Sequence, residues 1–108
     1  MRRVASLRRQ ADFARLRRQG RRVSTKSLTI YRSDGPPGDA PSLVGITVSK
    51  SIGKAVVRNK LRRRLSAIVR EALASRVAMR LLLVARPIAA EAQFSDLRAE
   101  VTSALGPA

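Results

Sequence analysis

GITVSKSIGKAVVRNKLRRRL, residues 45–65, passes from the end of a strand through a glycine-containing turn into a helix. Upstream of it Val44, Ile46 and Val48 alternate, so LVGITV (43–48) reads as a strand with one apolar face. SKSIGK (49–54) is the turn, with Gly53 as its free hinge. Val57, Leu61, Leu65, Ile68 and Ala72 then recur at helical spacing, and Val69 and Leu73 widen the stripe, which predicts a helix from about Ala55 to Val77. Facing away from the stripe are Arg58, Lys60, Arg62, Arg63, Arg64 and Arg70.

The placement of these cations is unusual. Lys54 and Arg58 fall in or near the first turn, where the helix dipole is positive and disfavours an exposed cation by about 0.3–1 kcal/mol. Stability alone would select Asp or Glu there. The same turn offers unpaired backbone N–H groups, which suit a phosphate. Both facts agree if the helix start binds phosphate; the alternative is a solvated cationic face.

Working outward, residues 1–9 are basic and weakly patterned and read as a mobile arm. A short helix is predicted over 10–19, with Phe13 and Leu16 on one face and Gly20 as its C′ residue. SLTIYR (27–32) alternates, with Leu28 and Ile30 on one side and Thr29 and Tyr31 on the other. SDGPPGDAPS (33–42) is a long turn carrying two acids, which places it away from an anionic partner. The strands on either side of it are expected to pair as an antiparallel hairpin. RLLLVA (80–85) carries a short continuous apolar run after Arg80 and reads as a strand buried on both faces, ended by Pro87. SDLRAEVTSAL (95–105) reads as a helix with Ser95 as N-cap, Asp96 in its first turn, and Leu97, Val101 and Leu105 inward. The order gives a mixed α/β sandwich, with a fourth short strand near 21–25 or 49–52. No internal repeat or domain linker is visible, and 108 residues make one domain.

Composition narrows the function. Lys and Arg number 23 against 7 acids, a formal charge of +16. Self-repulsion of that size calls for a polyanionic partner. The bias to Arg favours phosphate and base stacking, because a guanidinium is a planar fork of donors. Membrane-surface binding would need a bulky apolar face with Trp or Phe, which is not evident. Cys and His are both absent, which removes thiolate sites, disulfides and the commonest general base. No signal-like or membrane-spanning apolar run is visible, so a cytoplasmic protein without membrane contact is expected.

The 45–65 segment resembles the bacterial ribonuclease P protein subunit, in which an Arg-Asn-Arg-rich helix follows a Val-Ser-Lys-Lys-x-Gly turn. Asp12-Phe13 followed by Gly20, Tyr31 in its strand, and LLVARP (82–87) are similar to further parts of that family. The resemblance implies an α+β sandwich: a four-stranded mixed sheet with three helices and a left-handed crossover around the long helix. It implies contact with the catalytic RNA through Arg58, Asn59, Lys60, Arg62 and Arg63, Asn59 acting more by shaping the helix than by touching RNA. It also implies a groove for the single-stranded 5′ leader of precursor tRNA, lined by Phe13 and Tyr31 and edged by Lys50, Lys54 and Arg86. Arg17, Ser51 and Ser66 depart from the family pattern, standing where Phe, Lys and Arg are common. Such a groove is expected to stack less and use more cation contact.

The implied reaction is hydrolysis of one phosphodiester bond to release the leader. Metal-assisted hydrolysis needs clustered oxygen ligands, and the seven acids are scattered. The resemblance assigns the chemistry to RNA and to Mg²⁺ bound mainly by RNA, with no catalytic residue on the protein and no protein oligomer required. Two other classes fit the charge: a small ribosomal protein, and a protein-only nuclease, which would need an acid cluster.

Overall fold

The computed structural model describes residues 3–35, 38 and 40–106. Eight regular elements follow one another: β1 (Val4–Ser6), α1 (Gln10–Gln19), β2 (Arg21–Ser24), β3 (Leu28–Asp34), β4 (Ser42–Thr47), α2 (Ala55–Leu73), β5 (Met79–Ala85) and α3 (Phe94–Leu105). Two 3-10 turns, Lys50–Ile52 and Pro87–Glu91, follow β4 and β5. The strands form one mixed sheet in the order β1-β4-β5-β3-β2. It is thus an α+β fold with three helices and five strands, not four. The extra strand is β1, which pairs parallel with β4, Ala5 opposite Leu43. Residues 4–6 of the expected arm are therefore part of the sheet, and residues 1 and 2 lie outside the described residues.

The expected hairpin does not form. β5 lies between β3 and β4, antiparallel to the first and parallel to the second. The physical reason is in β5 itself. Leu81, Leu82 and Leu83 are each fully buried, so the strand needs cover on both faces, and only a central position gives it that. The fourth expected strand is β2, at 21–24, while 49–52 holds a 3-10 turn instead. Of the loop after β3, residues 36, 37 and 39 lie outside the described residues; Ser33 and Asp34 continue the strand.

Alternation along the strands builds two unequal cores. Leu28 and Ile30 of β3, Val44 of β4 and Leu81, Leu83 and Ala85 of β5 pack under Leu61, Leu65, Ile68, Val69 and Leu73 of α2 and Leu97, Val101 and Leu105 of α3. On the other face Leu82 joins Leu7 and Leu16 in a small cluster, with Phe13, Tyr31, Leu43 and Val84 packed half-buried around it. Among the described residues α1, with Leu7 just before it, covers this second face.

Helix ends differ from expectation for local reasons. α2 stops at Leu73; Ala74 N–H turns back to the Glu71 carbonyl, and Val77 is exposed. α3 begins at Phe94 with Gln93 as N-cap, and Ser95 is its second residue; Asp96 lies in the first turn as the pattern indicated. Gly20 ends α1 but is not left-handed, with φ −72°. Its glycine serves space: a Cβ there would lie 2.5 Å from the Leu16 carbonyl oxygen and 3.2 Å from that of Arg32.

Candidate nucleic-acid interface

The turn between β4 and α2 is tied to the core and to the helix it precedes. Val48 and Ile52 are buried anchors at its two ends. Between them the Ser49 and Ser51 hydroxyls meet at 2.7 Å. Gly53 has φ 151°, a conformation that glycine adopts without strain. Lys54 is the N-cap of α2 with no side-chain cap, and no acid lies in the first turn. Arg58 Nε donates to the Gly53 carbonyl at 3.1 Å, and Arg62 donates to the Val48 carbonyl at 3.3 Å. These two residues, one turn apart, grip the turn from the helix side. Arg62 also reaches Asn59 Oδ1 at 3.5 Å.

Helical spacing sorts the cations into neighbouring rows. Arg58 and Arg62 lie beside the turn, Asn59 and Arg63 form the next row, and Lys60 and Arg64 the one after it. Asn59, Lys60, Arg62 and Arg63 are exposed and Arg58 is half-buried. The five sequence-predicted helix residues thus lie in neighbouring rows around the outer side of α2, Arg58 and Arg62 bordering the stripe that enters the larger core and Lys60 farthest from the β4 turn.

Phe13 and Tyr31 lie on the other face of the sheet, both half-buried around the Leu7–Leu16–Leu82 cluster. The ring of Phe13 rests on β4 at Gly45, where a Cβ would come within 2.7 Å of the ring. Gln10, Ala14, Arg17 and Thr47 complete an open groove beside that ring. Sequence reasoning missed Gly45 and Thr47. A glycine inside a strand pattern is the signal that pointed to the first, since it marks close approach.

The two surfaces are therefore on opposite faces of the sheet, joined around one end of it. Lys50 and Lys54, both exposed, stand at that end, after β4. Arg86 stands at the same end, after β5, but its guanidinium is engaged with the protein. It donates to the carbonyls of Thr25 and Lys26 and to Thr29 Oγ1, tying the β2–β3 turn to the end of β5. Two other arginines also work inside the fold: Arg32 donates to the Ala104 and Leu105 carbonyls, and Arg76 to those of Leu105 and Gly106.

Four of the acids gather around α3. Glu91, Asp96 and Glu100 surround a hollow between the second 3-10 turn and α3, and Glu71 pairs with Arg98. Burial would raise the Glu100 carboxyl, but hydrogen bonds from Thr25 and Ser27, with the charge of Lys26, hold it below its ordinary value. Among the described residues no group of three or more Asp, Glu, His or Cys is placed to hold a metal ion. The described residues do not form a protein-borne Mg²⁺ site.

The ribonuclease P family model matches residues 1–108. The chain belongs to the ribonuclease P protein family. The ribonuclease P protein component of Thermobifida fusca is 44% identical over 106 residues, covering 92% of this chain and 72% of that one. That of Acidothermus cellulolyticus is 41% identical over 101 residues, covering 93% and 84%. Solved ribonuclease P proteins share the fold. The one from Thermotoga maritima, in complex with 1-(4-fluorophenyl)-2-thiourea, superposes with a TM-score of 0.80 at 23% identity, covering 94% of this chain and 98% of that one. The Staphylococcus aureus protein gives 0.76 at 22%, covering 93% and 91%.

Proposed function

We propose that the chain is the protein subunit of ribonuclease P, which binds the catalytic RNA and the 5′ leader of precursor tRNA and assists removal of that leader. The observation that carries this reading is the family match over the whole chain. The geometry supports a division of labour. Arg58, Asn59, Lys60, Arg62 and Arg63 on α2 meet the catalytic RNA, where a phosphate at the helix start gains N–H groups, dipole and guanidinium together. The half-covered sheet face holds the leader, with Phe13 and Tyr31 as stacking platforms that accept any base. Lys50 and Lys54 bridge the two around the sheet end. Arg86 acts chiefly by holding the β2–β3 turn, with its charge at the groove edge. The crossover from β4 through α2 to β5 is left-handed in this reading.

Hydrolysis is assigned to the RNA partner and its Mg²⁺, and this chain binds, orients and offsets phosphate repulsion. The test is reconstitution: precursor tRNA is incubated with purified protein, with catalytic RNA, and with both, at low Mg²⁺. Leader release that requires both components is the expected result. Cleavage by the protein alone would overturn the assignment, as would RNA-alone activity that the protein leaves unchanged.

A further inference from the structure

A second recess lies between the start of α2 and the second 3-10 turn. Val56 and Val57 in the first turn of α2, Leu61 below them, and Ala89 and Ala90 of the second 3-10 turn line a groove of about 240 Å³. Lys60 and Arg64, one turn apart, line it as well. Val56 is 78% exposed and Val57 37%, two of five large apolar side chains so exposed among the described residues. Helix preference gives no reason for either, since β-branched residues lose side-chain freedom in a helix. Nor does the core, because Leu61 already fills the α2 contact beneath them.

We infer that this groove holds one unstacked nucleobase of the catalytic RNA, with Lys60 and Arg64 on the phosphates beside it. The inference rests on reading α2 as the RNA-binding helix. Three features select the occupant. The groove is continuous with the cationic rows, since Lys60 belongs to both. Its cations match a polyanion, and its aliphatic walls match the flat apolar face of a base. Its volume is below the roughly 300–1,000 Å³ of sites for drug-sized ligands, which suits a single ring system. Proteins read RNA mainly at unpaired nucleotides whose bases are splayed out of the stack. A base here would give α2 a preference for one loop or bulge of its RNA, which phosphate contacts alone do not provide.

The test compares wild type, the double variant V56S/V57S, and K60A for affinity to the catalytic RNA across a salt series. Probes that modify the edges of unpaired bases are applied to each complex. The double variant is expected to bind roughly fivefold to tenfold more weakly with an unchanged salt slope, as loss of buried methyl contact implies. One unpaired base protected by wild type becomes reactive, while other protections persist. K60A lowers the slope instead. If the double variant melts earlier, V56S alone carries the readout, since Val56 is the more exposed. Unchanged affinity and protections in the folded variants would overturn the inference and leave the α2 reading intact. So would a change confined to self-association of the protein, which would make the groove a protein contact. Failure of wild type to bind the RNA would overturn both readings.

Discussion

Arg58 carries two duties that pull against each other. Its charge opposes the dipole of α2, yet its Nε donates to the Gly53 carbonyl just before the helix. An exposed hydrogen bond of this kind is worth about 0.5–1.5 kcal/mol, close to the dipole penalty of about 0.3–1 kcal/mol. Arg58→Ala should therefore shift the melting temperature of the free protein little in either direction. It should weaken association with the catalytic RNA and lower the salt slope by about 0.7–0.9 for each lost phosphate contact. Melting at low salt and affinity across a salt series check both; a clear loss of stability with an unaltered slope would make Arg58 a structural residue. Gly45 has a simpler role. A methyl group there would meet the Phe13 ring at 2.7 Å. Gly45→Ala should push the ring off the sheet and weaken leader binding while Arg58-dependent RNA affinity stays. The place of Arg58 at the start of α2 was legible in the sequence, whereas its bond to Gly53 and the seat of Phe13 on Gly45 depend on contacts that spacing does not encode.

Among the elements, α2 and β5 were the most legible and the pairing of the strands the least. An apolar stripe at helical spacing and an unbroken apolar run each have one physical solution. The hairpin of β3 and β4 was expected because neighbours in sequence usually pair. It fails because β5, apolar at every central position, displaces that pairing. β1 escaped notice because three residues are too few to show a period. α3 is held in ways that no sequence pattern announced. Arg32 and Arg76 donate to its last carbonyls, where the dipole favours cations. Near its middle, Glu100 accepts bonds from the Thr25 hydroxyl at 2.6 Å and the Ser27 N–H at 2.7 Å. Because the folded state holds the Glu100 carboxyl below its ordinary value, its contribution is present at neutral pH. That contribution is lost as pH falls below the ordinary carboxylate range and through the lowered value. Glu100→Gln should thus destabilise the protein at pH 7 and much less near the acid end of its folded range. Thermal melting of both proteins across acidic to neutral pH measures this; a constant difference would mean that the carboxylate charge is not used.

At the scale of the whole molecule, charge is sorted as well as abundant. The net +16 was legible from composition, and it excluded most partners other than nucleic acid. Its distribution was not. Arg32, Arg76 and Arg86 are engaged inside the fold, Glu71, Glu91, Asp96 and Glu100 lie on or beside α3, and further cations line the outer rows of α2, the sheet end, α1 and β2. In the proposed function the cationic side of α2 faces RNA and α3, with its neighbouring acids, faces away. The aromatic pair on the half-covered sheet face underlies the proposal that this face holds the leader while the catalytic RNA does the cutting. The decisive measurement is the affinity of the reconstituted ribonucleoprotein for precursor tRNA and for mature tRNA, with wild-type protein and with Phe13→Ala and Tyr31→Ala. Loss of stacking is worth about 1–3 kcal/mol per base, so each variant should bind precursor tRNA roughly fivefold to a hundredfold more weakly and mature tRNA as before. Equal losses for both substrates, or none for either, would contradict the leader assignment.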